Sequence, residues 1–488
     1  MKAEVIKRVK VAVIGAGVSG ICAGVHLKRF TDWDFLILEK AEDLGGTWRE
    51  NTYPGVECDV PSHLYSFSFE LKPDWSREFP SGAEILSYLH DVANKYGLGP
   101  HLMFGAQVDK AEFDEGSWLL SLASGEQIRA EAIISALGIL HVPKYPDWPG
   151  LEDFSGPAFH TARWRHDVDL AGKNVAIVGT GATTVQCGPK VAEIADRLYV
   201  FQRTPVWVAA KKNPPISAEE QELLRRDFSA LRKKRWDLWK TWESTGLEMV
   251  TPGSALNRKA EALAVKHLRA QVRDPDLAAA LTPNYNFTCK RPTSSNEYYA
   301  MFNQPNVELV QEAIARIEPE AIVTESGRRA PIDVLIMATG FKSFDITNEL
   351  DIRGEGGVSL REVWGDRIVS YQTVMAPQMP NLFLLFGPNS GGLTSAYEFI
   401  EAACGYIIKA IKYMHENGHA AMTPKLNEVL DFSEEIQRKY SKTTQNKGCV
   451  SWWTDGKGYT HAMWPSSSVE YRLMMGQFIP EHFDFRKA

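Results

Sequence analysis

Cysteine is scarce. Six residues, Cys22, Cys58, Cys187, Cys289, Cys404 and Cys449, are spread over 488 positions, with no CxxC pair and no metal-ligand spacing. A short-spaced redox dithiol and a metal site are excluded, and reduced thiols used for packing are expected. Long apolar runs are missing too. No stretch reaches the roughly 18 apolar residues that a membrane span needs, and MKAEVIKRVK leads directly into a strand pattern, not a signal-peptide core. A soluble cytoplasmic protein without a membrane partner is expected. Positive charge is not in excess, since the formal net charge is −7. That removes any general pull toward nucleic acid and favours small-molecule chemistry. Low-complexity segments are absent, and with 44% hydrophobic and 24% charged residues the chain is long enough for two or three domains with separate cores.

What is present is a pair of glycine loops. In VKVAVIGAGVSGICAGVHLKRF an apolar run at 9–14 precedes Gly15, Gly17 and Gly20 in GxGxxG spacing, and an apolar stripe of helical period follows. The pattern predicts strand, tight turn and helix, with the helix N-terminus facing a pyrophosphate. FLILEK then supplies a second strand ending at Glu39, 19 residues after Gly20, where a carboxylate can accept from a ribose 2′-hydroxyl. The second loop repeats this geometry: a strand at 175–178, Gly179, Gly181 and Thr184, a short helix, and the strand LYVFQRT. Gly15 to Glu39 is 24 residues and so is Gly179 to Arg203, but the charge at the equivalent position is reversed. A carboxylate repels a 2′-phosphate and an arginine fork matches one, so loop one suits FAD and loop two NADP. Thr184 replaces the usual Gly or Ala, which predicts looser helix packing or altered cofactor affinity. FAD with NADPH implies hydride transfer to a flavin. Without a cysteine pair, oxygen is the expected acceptor.

FSGPAFHTARW at 154–164 matches the FxGxxxHxxxW fingerprint of Baeyer–Villiger monooxygenases, the ketone-oxidising branch of the flavin-containing monooxygenases. The chain resembles that family over nearly its whole length: GAGVSG, GGTW at 45–48, YPGVECD at 53–59, FQRTP at 201–205, CKRP at 289–292 and ATGF at 338–341 occur in family order. The resemblance implies an α/β fold of two Rossmann-like domains with a helical insert in the second. It implies oxygen insertion beside a ketone carbonyl through a flavin peroxide, with Arg291 as the active-site cation and Asp59 as the carboxylate that orients it. Thr47, Trp48, Asp59 and Tyr65 align with the flavin-contacting segment, and Lys290 with a residue that reaches the NADP phosphate. His160 and Trp164 then act conformationally, on the connection between domains. Two departures stand out: Arg165 follows the fingerprint Trp, predicting altered hinge behaviour, and Thr288 precedes Cys289.

Expected boundaries are 1–148 and 375–488 for the FAD domain, 150–212 and 290–374 for the NADP domain, and 213–289 for the insert, whose first helix starts near Ser217. The basic run at 232–235 reads as a solvated helix face. LTSAYEFIEAACGYIIKAIKYM predicts a long helix completing the flavin domain. Trp452, Trp453 and Trp464 lie in a loop-like stretch that either lines the substrate pocket or packs internally. Aromatic residues, 11% of the chain, point to a cyclic or aryl ketone. The competing functions are oxygenation of an amine or sulfide, which does not need the Asp59 and Arg291 pair, and a non-oxygenating NADPH–flavin reductase.

Overall fold

The structure, a computed structural model, describes residues 5–343, 346–455 and 457–487; Met1–Glu4, the start of the expected lead into the first strand, and Gly456 in the tryptophan-rich loop lie outside them. The first strand, β1 (Val5–Ile14), runs parallel to β2 (Phe35–Leu38) on one side and to Gln127–Ser135 on the other. Its Val- and Ile-rich inner half is buried on both faces, as parallel strands covered by helices require. Between β1 and β2 the chain crosses over as α1 (Val18–Phe30). From edge to edge the sheet runs Asp351–Arg353, Val108–Asp114, Ser117–Leu122, Gln127–Ser135, β1, β2 and Leu102–Met103, with Leu382–Leu384 also pairing to Gln127–Ser135. The long C-terminal helix expected from periodicity is Ala396–Glu416, and it packs on α1.

A second parallel sheet is built around β3 (Asn174–Val178), followed by α2 (Ala182–Ala192) and β4 (Arg197–Phe201). Its order is Val307–Val310, β4, β3, Val334–Met337, Ala158–His160. The chain rejoins the first sheet earlier than the expected boundary at 375, because Asp351–Arg353 already pairs with Val108–Asp114. An edge strand presents unpaired backbone groups, and this short segment satisfies them. Three residues are too few to announce a strand in sequence.

Between β5 (Val208–Ala209) and β6 (Thr293–Ser294), which pair in parallel, lie the helices α3 (Ala218–Arg226), α4 (Phe228–Val250) and α5 (Ala255–Gln271). Ser217 caps α3, its side chain accepting from the Glu220 amide. The basic run is not wholly a solvated face. Arg235 donates to the carbonyls of His63, Leu64 and Ser66 at 3.0–3.1 Å and so fastens α4 to the first unit.

The expectation of six reduced cysteines fails at two positions. Cys289 and Cys449 form a disulfide, with Cα atoms 6.1 Å apart and a separation of 160 in sequence. Folding lays the C-terminal loop against the residues just before Lys290, where the Thr288 hydroxyl also meets that of Thr444. Spacing along a sequence does not reveal such a pairing. The other four cysteines are free and buried. Among the described residues no helix is long and apolar enough to cross a membrane.

Candidate active site

Both glycine loops are shaped by backbone proximity. Gly15 has φ +104°, and a Cβ there would lie 2.6 Å from the Ala136 carbonyl oxygen; one on Gly20 would lie 1.9 Å from that of Gly15. Gly17 faces Gly46 of the GGTW turn, where an added Cβ on Gly46 would sit 2.9 Å from the Gly17 Cα. The α1 N-terminus has no side-chain cap, so its first amides remain free to meet an anion. Glu39 is buried at the end of β2, accepting from the amides of Ala16 at 2.8 Å and Ala41 at 3.0 Å. Its carboxylate retains further acceptor sites for a ribose hydroxyl. This cradle fits a dinucleotide.

In the second loop Gly179 has φ +111°, and its Cβ would meet the Ala338 carbonyl oxygen at 2.4 Å, whereas a Cβ added at Gly181 would meet nothing within 4 Å. Thr184 corrects the expectation of loose packing. It is fully buried, and its Oγ1 donates to the Gly179 carbonyl at 2.8 Å, closing the turn. Arg203 is exposed just beyond β4. Lys290 is its neighbour: burial, and then the charge of Arg203, hold its ammonium below the ordinary range. Among the described residues neither cation has an ion-pair partner. Two close, unpaired cations match a dianionic phosphate.

The structure brings Arg291 and Asp59 together. A guanidinium nitrogen of Arg291 donates to Asp59 Oδ1 at 2.5 Å, and the Asp59 charge is the main influence tightening the hold on the guanidinium proton. The Arg291 side chain remains 46% exposed, so part of its donor fork is open to a reacting group. Thr47 is exposed, and Trp48 and Tyr65 meet edge to face at 5.6 Å, Tyr65 continuing onto Tyr397 at 4.8 Å. Burial pushes the Tyr65 hydroxyl and the Cys58 thiol upward, so both stay protonated.

Residues 12–225, which span both loops, match the family described as pyridine nucleotide-disulphide oxidoreductase. The chain is 37% identical over 474 residues to a Baeyer–Villiger monooxygenase of Streptomyces coelicolor, covering 96% of this chain and 91% of that one. This chain belongs to the Baeyer–Villiger monooxygenase family. Solved structures agree: cyclohexanone monooxygenase from Rhodococcus sp. Phi1 bound to NADP+ superposes with a TM-score of 0.89 at 28% identity, over 99% of this chain and 100% of that one. An OTEMO complex with FAD and NADP gives 0.88 at 29% identity, over 98% and 99%.

The Baeyer–Villiger fingerprint lies where the two sheets are joined. The outgoing and returning passages run side by side, with Lys144 N donating to Gly340 O and Lys342 N to Val142 O, each at 2.9 Å. His160 ends the strand Ala158–His160, and its ring meets Tyr145 of one passage at 5.6 Å and Phe341 of the other at 5.7 Å. Its Nδ1 accepts from the Ala162 amide at 3.1 Å, and burial lowers its pKa to about 4. A neutral, packed His160 thus touches both passages. Trp164 packs edge to face on Phe159 at 5.3 Å. Arg165 pairs with Asp167 on its own loop, a local contact that does not itself reach the passages.

Sequence reasoning missed several polar contacts around the segments that carry these residues. Tyr53 OH donates to Gln186 Oε1 at 3.0 Å and Gln186 Nε2 to the Glu57 carbonyl at 3.0 Å, linking YPGVECD to α2. Arg163 and Glu50 pair across the units at 2.6 Å. Lys211 is buried against Glu57. Isolated polar residues outside any period give no signal of this kind. Of the loop tryptophans, Trp453 and Trp464 are buried and packed, which favours the internal role; Trp452 is half-buried beside Trp453. Cys22, His26 and Cys404 cluster in the first core, but burial holds the Cys22 thiol well above its ordinary range and a His26 ring nitrogen is engaged at 2.9 Å by the Cys22 carbonyl, so the trio reads as packing.

Proposed function

We propose that this Baeyer–Villiger monooxygenase converts a ketone, O2, NADPH and a proton to an ester or lactone, water and NADP+. FAD, when bound, supplies hydride acceptance from NADPH and the activation of oxygen. The first unit, 1–148 with the chain from Asp351 onward, is proposed to hold it through Gly15, Gly17, Gly20, Glu39, Thr47, Trp48, Asp59 and Tyr65. The second unit, 150–212 with the chain from 290 up to that return, takes NADPH through Gly179, Gly181, Thr184, Arg203 and Lys290, with the helices of 213–289 covering the substrate. Supporting the assignment are the glycine cradles, the Arg203 and Lys290 pair, and the opposite charges at Glu39 and Arg203.

The contact between Arg291 and Asp59 carries the ketone reading. Oxygen attack on a carbonyl builds negative charge on the carbonyl oxygen, and a fixed guanidinium stabilises it as it develops. Asp59 orients that guanidinium and leaves donors free. Oxidation of an amine or sulfide builds no such oxyanion and has no use for the pair. A cyclic or aryl ketone is the proposed substrate class, in keeping with the aromatic content. The cytoplasm, where NADPH is maintained, is the proposed compartment; the Cys289–Cys449 bridge is unusual for such a setting and is the feature to assay in cells. Aerobic NADPH consumption with and without ketone tests the activity. Stoichiometric ester supports it; S- or N-oxide formation, or peroxide release alone, overturns it.

A further inference from the structure

Lys211 is a buried cation outside every motif. Only 4% of its side chain is exposed, yet its Nζ lies 2.6 Å from Glu57 Oε1, donates to the Cys58 carbonyl at 3.2 Å and sits 5.0 Å from the centre of the Phe79 ring. Buried lysines are rare, and one paired and hydrogen-bonded in this way holds its partners in a defined arrangement. Those partners are Glu57 and Cys58, the two residues immediately before Asp59. The Lys211 main chain is equally constrained: its amide donates to Asn296 Oδ1 at 3.0 Å, and Asn296 Nδ2 donates to its carbonyl at 2.6 Å. Asn296 follows β6, which begins two residues after Arg291 and pairs with β5, two residues before Lys211.

These contacts close a ring. It runs from the Asp59 carboxylate to Arg291, along the chain through β6 to Asn296, across to Lys211, and through its ammonium to Cys58 and back to Asp59. Asn213 reinforces it, its Nδ2 donating to the other Glu57 carboxylate oxygen at 3.0 Å. We infer that Lys211 is a positioning residue for oxygen insertion: it sets the Asp59 backbone against the Arg291 strand, so that the guanidinium is aimed correctly when the two units bind their cofactors. It touches no reacting group itself. The inference rests on the proposed role of Asp59 and Arg291. Nothing else described joins 57–59 directly to the chain around β5 except Lys211 and Asn213, so a loss at Lys211 is transmitted to the pair.

The test compares Lys211→Met, Lys211→Arg and the double variant Glu57→Gln/Lys211→Met, which leaves no unpaired carboxylate and carries the test if the single variant does not fold. FAD content, KM for NADPH, and ester and peroxide formed per NADPH are measured on holoenzyme. Lys211→Met is expected to keep FAD and an NADPH KM near that of the parent, since Arg203 and Lys290 are untouched, while ester yield falls about tenfold to a hundredfold in favour of peroxide, the scale of misplacing a catalytic group by about 1 Å. Lys211→Arg, which keeps the cation, is expected to restore much of the yield. Full coupling in Lys211→Met or in the folded double variant overturns the inference, as does a loss that merely follows FAD content. Arg291→Ala run alongside separates the two layers: if it abolishes ester while Lys211→Met does not, only the positioning role fails; if it makes ester normally, the reading of the pair fails and the inference with it.

Discussion

Arg291 and Asp59 stand 232 residues apart in sequence and 2.5 Å apart in the fold. With Arg291→Ala, FAD binding and reduction by NADPH should survive, because neither glycine loop is touched, and ester formation should vanish, with the electrons recovered as hydrogen peroxide. Asp59→Ala removes the orienting partner but leaves the cation, so slower turnover with residual ester is expected. The measurement is anaerobic reduction followed by oxygen and ketone, with both products quantified. Near-normal ester from Arg291→Ala would favour the heteroatom-oxidising alternative.

The charge of Arg203 reaches Lys290 and, after burial, helps hold its ammonium below the ordinary range. Arg203→Ala should weaken NADPH far more than NADH, by about 1.5–3 kcal/mol or roughly tenfold to a hundredfold, since only the phosphorylated ribose loses a charge-assisted partner. Steady-state KM values for the two coenzymes check this, and an equal loss for both would sink the assignment.

The glycines of the two loops should respond differently to alanine. Gly20→Ala places a methyl 1.9 Å from a backbone oxygen, with no side chain able to move aside; failure to fold or to retain FAD is expected. Gly181 has φ −74° and open space around its Cβ position. Gly181→Ala should therefore keep the melting temperature of the parent and weaken NADPH by about tenfold, ~1.4 kcal/mol, because the methyl occupies the path of the pyrophosphate. A drop in melting temperature with unchanged NADPH affinity would reverse this reading.

Burial lowers the pKa of His160 to about 4, whereas an unfolded histidine titrates near 6.5. Below about pH 6.5 the unfolded chain therefore binds the extra proton and the folded one does not. Stability is full above that pH, falls as pH drops toward 4 and levels off below it. Burial depresses His26, His63 and His415 in the same direction. His160→Asn, which keeps an acceptor for the Ala162 amide, should make thermal denaturation less steep between pH 6.5 and 4 without abolishing the slope. An unchanged slope would mean that His160 titrates normally in the folded protein.

The Cys289–Cys449 bridge closes a loop of 160 residues. Cys449→Ala should destabilise by about 2–4 kcal/mol, and a thiol reductant should bring the parent close to the same melting temperature. If reductant leaves the parent unmoved while two further thiols become titratable, the bridge contributes no stability.

Much of the first level of structure was written locally. The apolar runs, glycine spacings and acidic or basic strand ends that define each nucleotide loop fall within about 25 contiguous residues, where strand and helix periods are visible and backbone sterics admit few alternatives. The Ser217 cap and the helix Ala396–Glu416 were legible for the same reason. The family pattern also marked Asp59 and Arg291, but no property of either stretch by itself says that they touch. Tertiary structure decided that contact, the disulfide, the early return at Asp351–Arg353 and the burial of Lys211, all of which join segments distant in sequence. It also decided what Thr184 does: the exception in the glycine pattern became a hydrogen bond once its hydroxyl stood over the Gly179 carbonyl. Local periodicity records which face of an element is apolar. Which polar groups meet depends on how the faces of different elements are brought together, and that is settled only when the cores close.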